Sequence, residues 1–82
     1  MTPQALRAAI LELAQARHPG TCCPSDVARS LRDDESQWRA LMAPIREAAL
    51  TLARDGRIEV LQRGQPATPP WRGPIRLRWR PQ

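Results

Sequence analysis

The hydrophobic pattern of the chain changes period at Gly56, and this change constrains the fold more than any other feature. Before Gly56, apolar side chains recur every three or four positions, the spacing of one helix face. After it they alternate with polar side chains, as in a strand with one buried face. A chain of 82 residues has room for one modest core. We therefore predict a single α+β domain over residues 1–82.

Three main helices are predicted before Gly56. Their expected bounds are residues 3 to about 17, 24 to about 32 and about 43 to 55, with a short helical turn at about 36–41. Thr2-Pro3 and Cys23-Pro24 each place a proline at the first helical position, where its missing N–H costs nothing. Pro44 separates the short turn from the third helix, and Gly56 caps the end of that helix.

Two antiparallel strands are predicted after Gly56. The side chains expected to face inward are those of Ile58, Val60, Ile75, Leu77 and Trp79. Residues 63–74, called the connecting loop below, are too rich in Pro and Gly for regular structure, and we interpret them as a wing. Helices followed by this hairpin predict a winged helix-turn-helix with three main helices and a C-terminal two-stranded antiparallel wing.

The net charge of +5 lies entirely in the last third of the chain. Residues 1–55 contain seven arginines and seven acidic residues, whereas residues 56–82 contain six arginines and only Glu59 as an acid. The chain has no lysine, so its preference for arginine is weak evidence for phosphate recognition, and the position of the arginines carries more weight. A basic hairpin after a neutral helical body favours a polyanion as the partner.

Four ordered motifs, at residues 23–29, 38–42, 55–60 and 72–77, resemble a bacterial family of small winged-helix proteins described only as a domain of unknown function. The resemblance covers nearly the whole chain. One departure is Leu41-Met42-Ala43-Pro44, because the proline of the family directly follows Met. Membership implies a winged-helix fold and carries over no activity, ligand or catalytic residue.

Seven arginines are the candidate contacts to nucleic acid: Arg63, Arg72, Arg76, Arg78, Arg80, Arg46 and Arg54. The three in the last strand share one face at a spacing of about 6.6 to 6.8 Å, near that of phosphates along a nucleic-acid strand. The alternative is a solvated outer face. Arg46 and Arg54 lie on the third helix, whose exposed surface is balanced in charge and lacks Asn, Gln and Lys, so phosphate contacts are favoured over base reading.

The favoured function is a non-enzymatic module that binds DNA, with RNA as the second candidate. The alternative is a protein-docking module using Leu50 and Trp71, although we favour a Trp71 that folds back on the sheet. Trp38 and Trp79 occupy core positions of the pattern. The sequence indicates no oligomeric state.

We expect no metal, cofactor or catalytic site. His18, Cys22 and Cys23 are metal-ligand types, but a tetrahedral site takes ligands from a second segment, and none is evident. We interpret the acidic run 33–35 as the start of a helix. Adjacent cysteines seldom meet disulfide geometry, so both are expected as reduced thiols, Cys22 buried and Cys23 a cap or core contact.

We expect a cytoplasmic protein. The first residues lack the positive segment of a signal peptide, and Glu12 interrupts the nearest apolar stretch, so the sequence suggests no membrane contact.

Overall fold

The computed structural model describes residues 1–81, which form four helices and three strands. The elements are α1 Pro3–Arg17, α2 Pro24–Leu31, α3 Glu35–Ala40, α4 Met42–Arg54, β1 Ile58–Gln62, β2 Gln65–Pro66 and β3 Arg76–Trp79. The predicted α+β class, with helices before strands, is confirmed. Within the described range no helix has both the length and the apolar character needed to cross a membrane.

The helices begin and end at residues whose capping preferences can be read from the sequence. The hydroxyl of Thr2 accepts a hydrogen bond from the Ala5 N–H at 3.1 Å and caps α1. At the end of α4, Gly56 adopts a φ of +73°, and the Gly56 and Arg57 amides donate to the carbonyls of Ala53 and Leu52 at 3.1 and 2.9 Å. These two bonds form a Schellman motif, which turns the chain from α4 into β1.

Pro44 lies inside α4, in agreement with the predicted start of the third helix at about residue 43. It is the third residue of the helix, where the backbone N–H has no intrahelical acceptor, so the proline removes no hydrogen bond. Leu41 alone separates α3 from α4. The predicted interruption therefore occurs, and it falls just ahead of the proline ring.

The sheet has three strands in the order β2-β1-β3, where the sequence predicted two. Val60 pairs with Leu77 across β1 and β3, and Gln62 pairs with Gln65 across β1 and β2. The interpretation of the connecting loop as wholly irregular is wrong, because its first residues form a tight turn and then β2. Pro66 is tolerated there because β2 is an edge strand.

The link between α1 and α2 also joins the sheet. The amide of Cys22 donates to the Leu77 carbonyl at 3.0 Å, and the Leu77 amide donates to the Cys22 carbonyl. β3 therefore has β1 on one side and a single bridge to the helical layer on the other.

The core lies between the helices and one face of the sheet. Its largest fully buried side chains are Leu6, Ile10, Ile45, Ile58, Ile75, Leu77, Val27 and Cys22. Val60 is also buried, and Trp79 is half-buried, so the predicted inward register is confirmed. Leu61 breaks the expected alternation: it belongs to the outward face, directly opposite Arg76, yet only 6% of its surface is exposed.

Candidate nucleic-acid interface

The connecting loop is fixed to the body of the protein at residues 71–74. Nη2 of Arg46 donates to the carbonyls of Trp71 and Gly73, at 2.8 and 3.3 Å. Nε2 of Gln62 donates to the carbonyls of Arg72 and Pro74, at 2.8 and 3.5 Å. Successive carbonyls of this segment point alternately to α4 and to β1. Two side chains thus hold the segment from both sides, although it belongs to none of the three strands.

Trp71 folds back onto the protein, as favoured from the sequence. Its indole is half-buried, packs against the core, and donates from Nε1 to the Ala67 carbonyl at 3.2 Å. The indole N–H is therefore satisfied within the loop. This arrangement closes the loop on itself between residues 67 and 71.

Three of the predicted arginines surround one open recess of about 620 Å³, called the basic groove below. Arg63 comes from the turn after β1, Arg72 from the fixed part of the connecting loop, and Arg76 from the start of β3. Leu61, Gln62, Gly73 and Pro74 complete the lining. The structure therefore brings together cations that lie up to thirteen positions apart in the sequence.

The turn that carries Arg63 has an unusual backbone. Arg63 and Gly64 are the two central residues between the paired Gln62 and Gln65, with φ values of +53° and +77°. Positive φ at both positions defines a type I′ hairpin turn, which suits the twist of the strands and favours glycine. A long, exposed cationic side chain at the first position is thus presented at the tip of a rigid hairpin.

The row of arginines on β3 is only partly available to an anion. Arg78 lies opposite Glu59 on β1 and forms an ion pair with it, and both side chains are partly shielded. Arg76 is exposed and donates from Nε to the Thr21 hydroxyl at 2.9 Å, which directs it toward the start of α2. Arg80 follows β3 and is exposed. The sequence alone does not show that Arg78, the middle arginine of the row, is neutralised by Glu59, because this pairing depends on the register of the two strands.

Arg46 and Arg54 occupy different environments on α4. Arg46 is half-buried and holds the connecting loop, a role that no local sequence pattern indicates. Arg54 is exposed in the last turn, where a cation is favourable beside the helix C-terminus.

The other tryptophans support the core rather than a stacking surface. Trp38 is half-buried, with the guanidinium carbons of Arg29 and Arg39 at 4.6 and 5.1 Å from its ring centroid. Trp79 is half-buried and meets the His18 ring edge-on at a centroid distance of 5.2 Å. Both pack against the buried cluster, in agreement with the sequence pattern.

The acidic run at 33–35 starts a helix, as interpreted. The Asp34 carboxylate is the N-cap of α3 and accepts the Gln37 N–H at 3.3 Å. Hydrogen bonds from the Ser36 hydroxyl and from this amide lower the pKa of Asp34.

The two cysteines are free thiols with distinct environments. Cys22 is fully buried, and this burial raises its pKa to about 11. Cys23 is the N-cap residue of α2, and its N–H donates to the Asp26 carboxylate at 3.1 Å, which lowers the pKa of Asp26. Within residues 1–81, no three or more His, Cys, Asp and Glu side chains group closely enough to hold a metal ion.

We predict that the fold does not require a metal. Incubation with EDTA should leave the far-ultraviolet circular dichroism and the melting temperature unchanged, because His18, Cys22 and Cys23 lack a ligand from a second segment. Loss of the helical signal on chelation, with recovery on adding zinc, would contradict this expectation.

Comparison with known proteins gives a family and no activity. No curated protein matches the chain. The profile of the family described as "Protein of unknown function (DUF3253)" matches residues 3–80, and the chain therefore belongs to this family.

Proposed function

We propose that the protein is a non-enzymatic winged-helix module of the cytoplasm that binds nucleic acid, DNA in preference to RNA, chiefly through phosphate contacts. The observation that supports this most directly is the basic groove, whose lining includes Arg63, Arg72 and Arg76. Cations gathered in one recess raise the local potential and attract a polyanion.

None of the three groove arginines forms an ion pair with the part of the chain that the structure describes. Among the described residues, no carboxylate lies within 4.0 Å of the guanidinium of Arg63, Arg72 or Arg76, in contrast to Arg78 and its partner Glu59. Guanidinium groups match phosphate geometry well. Because the loop segment that carries Arg72 is already fixed, little ordering entropy is lost on binding.

The structure favours phosphate contacts over base reading. Arg46 is the arginine of the first half of α4 and is therefore a candidate for reading a base, but it is half-buried and donates to the connecting loop. The remaining exposed surface of the helix includes Glu47, Arg54 and Asp55, which together carry no excess positive charge. A helix of this kind has few donors for the edges of bases in the major groove.

The proposal predicts weak sequence preference and a strong dependence on salt. If the three groove arginines each neutralise one phosphate of duplex DNA, the slope of log K against log salt concentration should be about −2.7. Fluorescence anisotropy of a labelled random duplex, measured from low to physiological salt, gives this slope directly. Binding to unrelated sequences should be equal within experimental error.

Single substitutions distinguish the contribution of the basic groove to binding from that of the rest of the surface. Arg63→Gly removes a cation while providing the residue that the turn favours, and Arg72→Gln removes a second exposed cation. Each should reduce the slope by about 0.9. Arg54→Gln is the matched control and should leave the slope unchanged. Absence of affinity for DNA and RNA at low salt would refute the proposal.

A second candidate function is protein docking. Leu50 and Trp71, both half-buried, line a shallow recess of about 210 Å³ together with Pro69 and Pro70. Small apolar recesses beside fixed loops suit the anchor residues of a protein partner. If the basic groove binds no nucleic acid, this recess becomes the favoured interface, and Leu50→Asp should then abolish capture of any partner that the wild-type protein retains.

A further inference from the structure

A second recess, of about 580 Å³, opens between the first turns of α2 and α4 and the end of the connecting loop. We call it the α2–α4 cavity. Pro24, Met42, Pro74 and Ile75 give it apolar walls, and Arg46 and Arg76 belong to its lining as well. Its volume is in the range of small-molecule sites, which combine apolar walls with a few fixed polar groups.

Both guanidinium groups are held in place by neutral acceptors. Arg46 donates from Nη2 to the carbonyls of Trp71 and Gly73, and Arg76 donates to the hydroxyl and the carbonyl of Thr21, at 2.9 and 3.2 Å. These bonds fix the position of each side chain, and none of the acceptors carries a formal charge. Arg46 uses only one of its nitrogens in these bonds, so further N–H donors remain for a ligand.

The acid of α2 is Asp26, and its pKa is lowered by the hydrogen bond from the Cys23 N–H and, to a lesser extent, by the charges of Arg17 and Arg76. The Asp26 carboxylate accepts the Cys23 N–H at 3.1 Å and lies 3.5 Å from Nη1 of Arg17, so it is already engaged with α1 and with its own cap. Of the residues that the structure describes, no carboxylate is within 4.0 Å of Arg46 or Arg76. Two cations that form no ion pair among the described residues, at a largely apolar cavity, are complementary to a ligand that is itself apolar with one anionic end.

We infer that the α2–α4 cavity binds a small organic anion with a compact apolar body and one carboxylate or phosphate head. The apolar body lies against Met42, Pro24 and Ile75, and the head lies between Arg46 and Arg76. This inference goes beyond the proposed function and does not depend on it, because phenyl phosphate or benzoate can occupy the cavity whether or not the basic groove binds nucleic acid.

The test is a titration of the ¹⁵N-labelled protein followed by heteronuclear NMR. Phenyl phosphate and benzoate are the probes, and inorganic phosphate and benzyl alcohol supply the head and the body separately. At least one probe should shift the amide signals of Gly73, Ile75 and Met42 saturably, with an affinity about tenfold or more above that of either half-ligand. Equal affinity for inorganic phosphate, or no saturable shift at these amides, would overturn the inference.

Two variants test the two halves of the site. Met42→Trp fills the cavity and keeps both charges, whereas Arg46→Gln keeps the cavity and removes one charge. Each should weaken binding of the probe by about tenfold or more. Arg54→Gln on the same helix should bind like the wild type. The same spectra show whether each variant is folded, and a folded Met42→Trp protein with unchanged affinity would disprove the site even if Arg46→Gln disturbs the connecting loop.

Discussion

Replacing Leu77 by Ala should lower the free energy of unfolding by about 2 to 5 kcal/mol. Leu77 is fully buried, pairs with Val60 on β1, and exchanges two backbone hydrogen bonds with Cys22. The smaller side chain leaves a cavity where the sheet meets the helices, and the surrounding backbone is too constrained to close it. In a domain of this size the loss is a large share of the total stability.

Thermal unfolding and urea denaturation measure this effect. The melting temperature should fall by about 10 °C or more, since about 1 kcal/mol corresponds to 4 to 8 °C in a domain of this length. Leu50→Ala is the matched control, because Leu50 is only half-buried and lies outside the core cluster. Similar losses in the two variants would contradict the assignment of Leu77 to the centre of the core.

The fold could be predicted from the sequence where a local signal determines the backbone. Thr2-Pro3 starts a helix through a hydroxyl cap and a preset φ, and Gly56 ends one because only its backbone readily adopts a positive φ. The alternation of Ile75, Leu77 and Trp79 identified the inward face of the last strand, since a slip of one residue would bury arginines.

The remaining features depend on contacts between distant segments. Pro66 disfavours a strand by itself, and the tight turn at Arg63-Gly64 is stabilised by pairing with β1, which a pattern of residues does not display. Leu61 is buried on the outward face, opposite Arg76, although its position in the alternation predicts exposure. The pairing of an edge strand and the burial of a side chain on the outer face both depend on tertiary contacts, which a local sequence pattern does not display.

The sequence predicted which arginines belong to the candidate site, but it did not predict how they are arranged or which of them are paired. Local charge counting identified the arginines of the hairpin, but the register decides that Glu59 lies opposite Arg78 and that the apolar Leu61 lies opposite Arg76. Likewise, Arg46 resembles an ordinary surface charge of an amphipathic helix until the connecting loop is placed beside it. Long-range pairing thus determines which cations are available.

The chain should lose stability steeply between pH 9 and pH 11 because of Cys22. Burial raises the pKa of this thiol from 9.0 to about 11 in the folded protein, whereas the unfolded chain exposes it to water. In this range the unfolded state releases the proton that the folded state retains. Stability therefore decreases as the pH rises, by up to about 1.4 kcal/mol per pH unit and about 2 to 3 kcal/mol in total.

Because of the composition of the chain, few side chains other than cysteine can contribute to a change in stability between pH 9 and pH 11. The chain has no lysine and no tyrosine, and arginine stays protonated in this range, so cysteine is the one side-chain type of the sequence that ordinarily ionises near it. Urea denaturation at pH 8, 9, 10 and 11 measures the decrease. The free energy of unfolding should be nearly constant below pH 9 and should fall above it.

Two variants assign the decrease to one thiol. Cys22→Ala should be less stable than the wild type at pH 8, because it leaves a small cavity beside the bridge to Leu77, yet its stability should change little up to pH 11. Cys23→Ala, which alters the half-buried neighbour, should keep the alkaline decrease. The variants are compared by how steeply the free energy of unfolding changes with pH, and not by its value at any one pH. A wild-type protein whose stability stays constant to pH 11 would show that the Cys22 thiol ionises as readily in the folded state as in the unfolded one, which is incompatible with its burial beside β3.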